Sequence, residues 1–424
     1  MDRPLRRIHG IVCIMYIADA FFSLYDEPGV SLTENNPASR VLWIFLIVSS
    51  LLLALPRPGR TSRMFFNNLA LTGFVLLTVA SSAWSILPGT TFRRAVLAVF
   101  TLQFASHLRA NFKQAEVWEL LRTALRWSLL LSVAVCLVRP DIGVDSQYHV
   151  GQWRGLFPHK NSLGRAAALL GSLALGHWLS GGKGRFKIGL DMVLCLGLMV
   201  LAFSRTGLAS FLGVAAVLVV LRMLQNTKGH DRWLAASAIP IATGVILIVS
   251  GLMLSLLPSN LYEDKLLTGR IPLWYTLTLM ALERPLQGYG YGQTILSPAG
   301  HGLEIWARVG WEMGSAHNAM LQVQLDLGVV GLACYLMVWL TIFARVGRNL
   351  TRPRSLVEVG VCLMVFVNGL TEIGSAALST LWGLAFILLA LSDRQVTHDS
   401  GPGPALPVAS PPSASPADLE RREE

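Results

Sequence analysis

The stretch "SAHNAMLQVQLDLGVVGLACYLMVWLTIF", residues 315–343, joins a short polar start to a long apolar run. From position 319 to position 343 the run contains one charged side chain, that of Asp326. A helix of about 20 apolar residues is long enough to cross the hydrocarbon core of a bilayer. The stretch therefore predicts a membrane-spanning helix over 317–343, with His317 and Asn318 at its start.

Similar apolar runs recur along the chain. Hydrophobic residues make up 53% of the 424 residues and charged residues 14%, with a mean hydropathy of +0.52. This composition excludes a soluble globular protein and predicts an all-α integral membrane protein over residues 1–394. No cleavable signal peptide is evident, so the first run is expected to be a retained span. The runs predict about 12 transmembrane helices, near 8–25, 41–55, 64–84, 92–108, 124–139, 162–180, 188–203, 206–222, 233–257, 317–343, 356–371 and 376–392.

The formal charge of +10 follows a topological pattern. If the amino terminus is cytoplasmic, most of the 35 Lys and Arg residues fall in joints on the inner side, as the positive-inside rule requires. Twelve spans then place both termini in the cytoplasm. The basic charge is therefore explained by membrane insertion, and we expect membrane lipids but no nucleic acid as partners.

Two segments on the predicted outer side exceed the usual length of a connection. One covers about 140–161, and the other covers about 258–316, directly before the tenth helix. The tail 395–424 is rich in Pro, Ser and Ala and is expected to be disordered in the cytoplasm. The five cysteines lie in apolar runs, which favours packing roles, and the sequence contains no Walker A loop, dinucleotide fingerprint or zinc-type spacing.

Four cationic residues fall on the predicted outer side, where the positive-inside tendency disfavours them. They are Arg154, Lys160, Arg205 in the short turn "FSRTG", and Arg270 in "LTGRIPLW". A guanidinium at the bilayer edge either extends to the headgroups or is held there by a partner. Because arginine binds phosphate through a planar pair of donors, the group predicts a diphosphate site.

His317 is the candidate general base. Its ordinary pKa near 6.5 allows the neutral ring to accept a proton from a sugar hydroxyl. From the residues alone, capping or interfacial anchoring of the helix start is the alternative, and the stronger one. Asp326 lies nine residues further on, about half a turn away around the helix, and is not expected to orient His317.

Tyr289 and Tyr291 in "ERPLQGYGYGQ", residues 283–293, are candidates for contacting glycan, as is Asn318. Tyrosine rings stack on sugars, but alternating Gly and Tyr also occur in packed turns. Acidic residues in the two outer segments are scattered and form no Asp-x-Asp pair, which argues against a divalent metal holding the diphosphate.

Five stretches in this order resemble the O-antigen ligase and polymerase superfamily of bacterial membrane glycosyltransferases. The resemblance covers roughly residues 80–335, and the long segment before the last stretch adds to it. The stretches are "SSAWSILPGTTFRRA" (81–95), "WRGLFPHKNSLGR" (153–165), "FSRTGLAS" (203–210), "LTGRIPLWYTLTLMALERPLQGYGYG" (267–292) and "SAHNAMLQVQLDLGVVGL" (315–332).

The resemblance implies a GT-C-like helical fold in the bacterial inner membrane, with a site open to the periplasm. Such enzymes move a glycan from undecaprenyl diphosphate to a sugar hydroxyl, without metal or another cofactor and with inversion at the anomeric carbon. By match to the family's motifs, Arg205 and Arg270 look like the diphosphate-binding arginines and His317 like the base. Arg154, Lys160 and Asn161 look like further donor-site residues.

Several alternatives stay open at this point. A ligase would use lipid A core as the acceptor, and a polymerase would use a second lipid-linked glycan; "HKN" in the second stretch looks slightly closer to exopolysaccharide polymerases, and related enzymes transfer to protein. A polytopic secondary transporter of an anionic or glycan substrate is the main rival from another class, because twelve spans with both termini inside is a common carrier topology. A noncatalytic scaffold is the third reading.

Overall fold

A computed structural model describes residues 3–24, 37–55, 58–146, 150–227, 270–350, 352 and 355–392. These residues form a nearly all-helical bundle without β-strands, apart from one isolated bridge between Val144 and Trp153. Its α-helices, numbered along the described chain, are α1 (Arg3–Ile17), α2 (Pro37–Ala54), α3 (Pro58–Phe65), α4 (Leu69–Ala80), α5 (Pro88–Asn111), α6 (Gln114–Val138), α7 (Pro140–Gly143), α8 (Lys160–Leu179), α9 (Arg185–Leu201), α10 (Arg205–Asn226), α11 (Arg270–Glu283), α12 (Gly302–Val309), α13 (Ala319–Arg348), α14 (Leu356–Thr371) and α15 (Leu381–Ala390).

Three described helices, α6, α10 and α13, are long and apolar enough to cross a membrane. The bent pair α2 and α3, which turn by 114° relative to each other, would add a fourth span if counted as one. Shorter apolar helices occur at Leu69–Ala83, Leu356–Thr371 and Leu381–Ala390. These helices fit a multi-pass membrane protein, and the count of about 12 spans and the GT-C assignment stay predictions. The expected span 233–257, the first part of the segment 258–316 up to residue 269, and the tail 395–424 lie outside the described residues.

Several helix ends meet at one end of the bundle, here called the His317 end. Gly164 near the start of α8 lies so close to Ser204 before α10 that a Cβ on Gly164 would stand 2.1 Å from the Ser204 Cβ. The start of α13 meets the end of α14, where the Asn318 side chain donates to the Leu370 carbonyl at 3.4 Å. The start of α11 joins them through Arg270, whose Nη1 donates to the Thr371 carbonyl at 2.7 Å.

The other end of the bundle is fixed at Asn68, which caps the start of α4. Its Nδ2 donates to Thr341 Oγ1 near the end of α13 at 2.9 Å and to the Ala390 carbonyl at 3.2 Å. Thr341 lies 22 residues after Ala319, which corresponds to about 33 Å along a helix. That length is close to the hydrocarbon thickness of a bilayer, so we expect the His317 end and the Asn68 end to lie at opposite membrane faces.

Helix α13 is broken at Gly328, which corrects the expectation of one uninterrupted span. Gly328 has φ 65° and ψ −165°, a conformation that is essentially restricted to glycine. The break frees two carbonyl groups of the helix: Leu325 accepts from the Tyr289 amide at 2.8 Å, and Asp326 accepts from the Gly290 amide at 2.9 Å. The Val329 amide donates in turn to the Pro285 carbonyl at 2.7 Å.

Residues 285–293, here called the inserted segment, therefore lie alongside α13 as far as Gly328. At about 1.5 Å per residue this position is roughly 13 Å past the start of the helix. On its other side the segment bonds to the turn after α4: the Tyr291 amide donates to Ser81 Oγ at 3.1 Å, and the Ile86 amide donates to the Tyr289 carbonyl at 3.1 Å. Non-helical backbone at this depth is stable because protein groups on both sides satisfy its polar atoms.

Tyr289 and Tyr291 take packing positions in this arrangement. Tyr291 is 4% exposed, and its hydroxyl accepts from the Leu378 amide at 3.0 Å and donates to the Ala376 carbonyl at 3.3 Å. Tyr289 is buried too, and its hydroxyl bonds to Glu283 Oε2 at 2.9 Å. Burial and the neighbouring Glu283 raise the pKa of Tyr289 to about 12. Both rings and both hydroxyls are used inside the protein, which favours packing roles, and the hypothesis that these rings contact glycan stays a prediction.

We expect Gly328→Ala to destabilise the protein by at least about 2 kcal/mol, because alanine does not tolerate this backbone conformation. In addition, its Cβ would stand 2.3 Å from the Leu286 backbone. Thermal unfolding of the detergent-solubilised protein measures the effect. Gly347→Ala in the same helix is the matched control, since nothing lies within 4 Å of the added Cβ; equal stability of the two variants would contradict the prediction.

We expect Tyr291→Phe to lower stability by about 1–3 kcal/mol, because the Leu378 amide and the Ala376 carbonyl lose a buried partner. Tyr275→Phe, at a position 69% exposed in α11, should leave the unfolding temperature unchanged. A contact between Tyr291 and substrate would give a different result, namely unchanged stability with altered kinetics.

Candidate active site at the His317 end

His317 lies immediately before the helix cap of α13. The cap is Asn318, whose Oδ1 accepts from the Leu321 amide at 3.0 Å. His317 has a positive φ of 49°, which turns the chain sharply into the helix. The sequence predicted that His317 is the first residue of the span, whereas the structure places it one residue before the helix cap. Asn318, expected as a glycan contact, uses both ends of its side chain on backbone groups of α13 and α14.

The backbone before His317 is fixed from two directions. The Ala316 amide donates to Gln322 Oε1 at 2.9 Å, and the Ala316 carbonyl accepts from the Trp274 indole at 2.9 Å. Gln322 also donates to Asp326 Oδ1 at 2.9 Å, and Asp326 Oδ2 accepts from the Gly292 amide at 2.8 Å. A buried chain of hydrogen bonds therefore links the inserted segment to the peptide that precedes His317.

The imidazole of His317 has a partner that sequence reasoning did not identify. Its Nδ1 is 2.8 Å from Oε2 of Glu372, the residue after α14. The Trp311 ring lies beside the imidazole with centroids 5.8 Å apart and an interplanar angle of 32°. Nε2 makes no hydrogen bond to the part of the chain that the structure describes, and the side chain is 23% exposed. Asp326 bonds to the inserted segment and to Gln322 rather than to the imidazole of His317.

Glu372 is the centre of the site, because three cationic or ionisable groups converge on its carboxylate. Besides His317, Arg270 Nη2 lies 3.1 Å from Oε1, and Arg165 Nη1 lies 3.4 Å from Oε2. Burial would raise the pKa of Glu372, but the hydrogen bond from His317 and the charges of Arg165 and Arg270 lower it to about 2. The carboxylate is therefore ionised at any physiological pH.

Arg165 reaches this carboxylate from the second turn of α8. Its Nε donates to the Asn161 carbonyl at 3.1 Å, which fixes the guanidinium against the helix start. Arg165 is the last letter of the stretch "WRGLFPHKNSLGR", but its role was not assigned from the sequence. Glu372 could have been identified from the sequence, since it is the one acidic residue between Glu358 and Asp393.

Lys160 and Arg205 lie next to this group at the starts of α8 and α10. The close approach of Gly164 and Ser204 brings the two helix starts together. Burial and the charge of Arg205 lower the pKa of Lys160. Arg205 is exposed; its amide donates to the Phe203 carbonyl at 3.2 Å, and its guanidinium makes no hydrogen bond or ion pair within the described ranges.

Two further candidates, Arg154 and Asn161, have less direct positions. Arg154 Nε donates to the Ile142 carbonyl at 3.0 Å, which ties down the outer loop after α6. Asn161 lies in the first turn of α8, where its amide donates to Nδ1 of His159 at 3.1 Å. The structure thus brings Arg270 and His317 together through Glu372 and adds Arg165, whose Nε donates to the Asn161 carbonyl. Lys160 and Arg205 are the first residues of α8 and α10, the two helices that meet at Gly164 and Ser204. No contact joins Arg154 to Glu372 among the described residues.

The donor set at this end suits an anion. Several helices, including α8, α10, α11 and α13, begin here, and helix starts carry partial positive charge. Within the described part of the chain, no three His, Cys, Asp or Glu side chains are grouped so that they could hold a metal ion. An anionic group entering this end would meet guanidinium and ammonium groups, with an imidazole nitrogen available next to them.

Comparison with known proteins agrees with the motifs. The family model described as O-antigen ligase matches residues 191–336, which include Arg205, Arg270 and His317. The chain is also similar to the exopolysaccharide production protein ExoQ of Rhizobium meliloti (strain 1021), with 25% identity over 331 residues, 72% of this chain and 71% of the relative. Both findings agree with the resemblance drawn from the motifs: residues 191–336 match the O-antigen ligase family model, and the chain is similar to an exopolysaccharide production protein.

Proposed function

We propose that the protein is a bacterial inner-membrane glycosyltransferase that moves a glycan from undecaprenyl diphosphate to a sugar hydroxyl in the periplasm. The observation that carries this proposal is the hydrogen bond between Nδ1 of His317 and Glu372 at 2.8 Å, beside Arg270 on the same carboxylate. The imidazole of His317 thus has Nε2 available to act as a base, and the guanidinium of Arg270 lies next to it. The match to the family model supports the choice of a glycan as the transferred group.

His317 acts as the general base in this proposal. A carboxylate on Nδ1 holds the proton on that nitrogen and leaves the Nε2 lone pair to accept the proton of the acceptor hydroxyl. As the hydroxyl oxygen forms a bond to the anomeric carbon, the bond from that carbon to the diphosphate oxygen breaks. Glu372 stabilises the imidazolium that results, and it therefore serves as a positioning residue for His317.

Arg205, Arg270 and Lys160 bind the donor diphosphate in this proposal, with Asn161 and Arg154 nearby. Negative charge develops on the departing diphosphate, and fixed cations stabilise it more in the transition state than in the ground state. The starts of α8 and α10 add partial positive charge in the same direction. The arginines would neutralise the leaving group without a metal ion, and a single displacement by the hydroxyl would invert the anomeric carbon.

Two acceptors fit this chemistry, lipid A core for a ligase and a second lipid-linked glycan for a polymerase. The name of the relative, an exopolysaccharide production protein, supports the polymerase, and the family description supports the ligase. The test is reconstitution in proteoliposomes with undecaprenyl-diphosphate oligosaccharide and either acceptor. A ladder of longer lipid-linked glycans identifies a polymerase, and one glycan added to lipid A core identifies a ligase. Movement of intact donor across the bilayer without any product would identify a transporter and contradict the proposal.

We expect His317→Ala to lower the transfer rate by about 10²–10⁴-fold, because the acceptor proton loses its base. Binding of undecaprenyl diphosphate should persist, since the cations are retained. His301→Ala is the matched control: His301 lies in the same outer segment, is 45% exposed and pairs with Glu304. Near wild-type transfer by the His317 variant would refute the base assignment.

We expect Arg270→Lys to lose at least about tenfold in transfer rate, because lysine lacks the planar pair of donors. In the structure Arg270 uses these donors on the Thr371 carbonyl and on Glu372 at the same time. Arg308→Lys, at an exposed position paired with Glu304, controls for the same chemical change elsewhere in the segment. Unchanged kinetics for Arg270→Lys would mean that any positive charge suffices there.

A further inference from the structure

Glu372 has more cationic partners than the orientation of an imidazole requires. A single carboxylate that accepts from Nδ1 suffices to set the tautomer of a histidine. Here Oε2 also faces Arg165 at 3.4 Å, and Oε1 faces Arg270 at 3.1 Å. The side chain is 12% exposed, so neither guanidinium is held there by chance contact at an open surface.

Positive charge exceeds negative charge around this carboxylate. Arg165, Arg270, Lys160 and Arg205 all lie at the His317 end, and Lys160 and Arg205 are close enough to affect each other. Glu372 compensates one of these charges, and Asp145 acts on Lys160. The described cations therefore outnumber the carboxylates, and a second anion would be stabilised at this end.

The two guanidinium groups on Glu372 are arranged to hold one anion from two sides. They approach different oxygens of one carboxylate, so they face the same point from two helices, α8 and α11. Each guanidinium has five N–H donors, more than the bonds to Glu372, Thr371 and Asn161 use. Phosphate oxygens are the preferred partners for such pairs of donors.

We propose that Arg165 is a further diphosphate-binding residue, and that Glu372 is the anion that Arg165 and Arg270 hold until the donor arrives. The donor diphosphate then takes over both guanidinium groups, and Glu372 is left with His317 as its partner. This inference rests on the proposed function and extends it. The carboxylate of Glu372 pairs with Arg165 and Arg270 while the diphosphate site is empty, and it pairs with His317 alone once the donor is bound.

A consequence is that donor binding strengthens the base. While Arg165 and Arg270 share the carboxylate, their charges oppose the positive charge that His317 must take up. Once diphosphate compensates both arginines, the imidazolium faces an unshared carboxylate. The base is thus most effective when a donor is present.

The test is the affinity of undecaprenyl diphosphate for the full chain in lipid nanodiscs, measured alongside the transfer rate. We expect Glu372→Gln to bind undecaprenyl diphosphate about five- to tenfold more tightly than wild type, because a competing anion is removed, and to lose most of its transfer rate. Asp141→Asn is the matched control, since Asp141 is an exposed carboxylate whose ion-pair partner is Arg139. It removes the same charge without changing affinity or rate.

Arg165→Gln provides an independent second measurement. We expect it to weaken binding of undecaprenyl diphosphate about tenfold, whereas Arg139→Gln, at an exposed arginine, leaves the affinity unchanged. If Glu372→Gln does not fold, this pair of variants decides the proposal.

The outcomes separate the two levels of the proposal. Unchanged or weaker donor binding by Glu372→Gln, or unchanged binding by Arg165→Gln, overturns the exchange of partners and leaves the proposed function standing. Failure of the wild-type protein to bind undecaprenyl diphosphate overturns the donor assignment and the exchange together. Tighter binding with lost transfer by Glu372→Gln supports the exchange, because a carboxylate with only a structural role would not improve donor affinity when removed.

Discussion

The ionised carboxylate of Glu372 is the interaction on which the His317 end depends. A carboxylate that is 12% exposed is stable only if it is paired, because removing a charge from water is costly. Its partners come from the start of α8, the start of α11 and the residue before the cap of α13, while the carboxylate follows α14. Four segments that are distant in sequence are therefore held at one point, and loss of the carboxylate leaves the two guanidinium groups with uncompensated charge.

A second constraint comes from the break in α13 at Gly328. The freed carbonyls of the helix accept hydrogen bonds from amides of the inserted segment. Asp326 and Gln322 extend this chain of hydrogen bonds along the helix to the Ala316 amide. The backbone next to His317 is therefore fixed by contacts that begin about three turns deeper in the bundle. This arrangement places a catalytic candidate on rigid elements, which is what a general base needs in order to stay aligned with a substrate hydroxyl.

The sequence predicted the helical class, most helix positions within the described ranges, and the pairing of Arg270 and His317 at one end. Those features depend on local apolar periodicity and on motifs. It did not predict that Glu372 joins them, because the contact between His317 and Glu372 spans 55 residues and depends on how α13 and α14 pack. The same limit explains the two tyrosines. The pattern "GYGYG" is compatible with an exposed loop and with a packed turn, and the break at Gly328, which decides between them, is a tertiary feature.

The region that matches the O-antigen ligase family does not contain the whole site. Residues 191–336 supply Arg205, Arg270 and His317, but Arg165 precedes the region and Glu372 follows it. Without α8 and α14, the imidazole would lack its carboxylate, and Arg270 would lose both of its acceptors, the Thr371 carbonyl and Glu372. The motifs of the matching region can therefore bind an anion, but the hydrogen bond that orients the base comes from outside that region. Differences among relatives in α8 and α14 would then change the strength of the base while leaving the family's motifs intact.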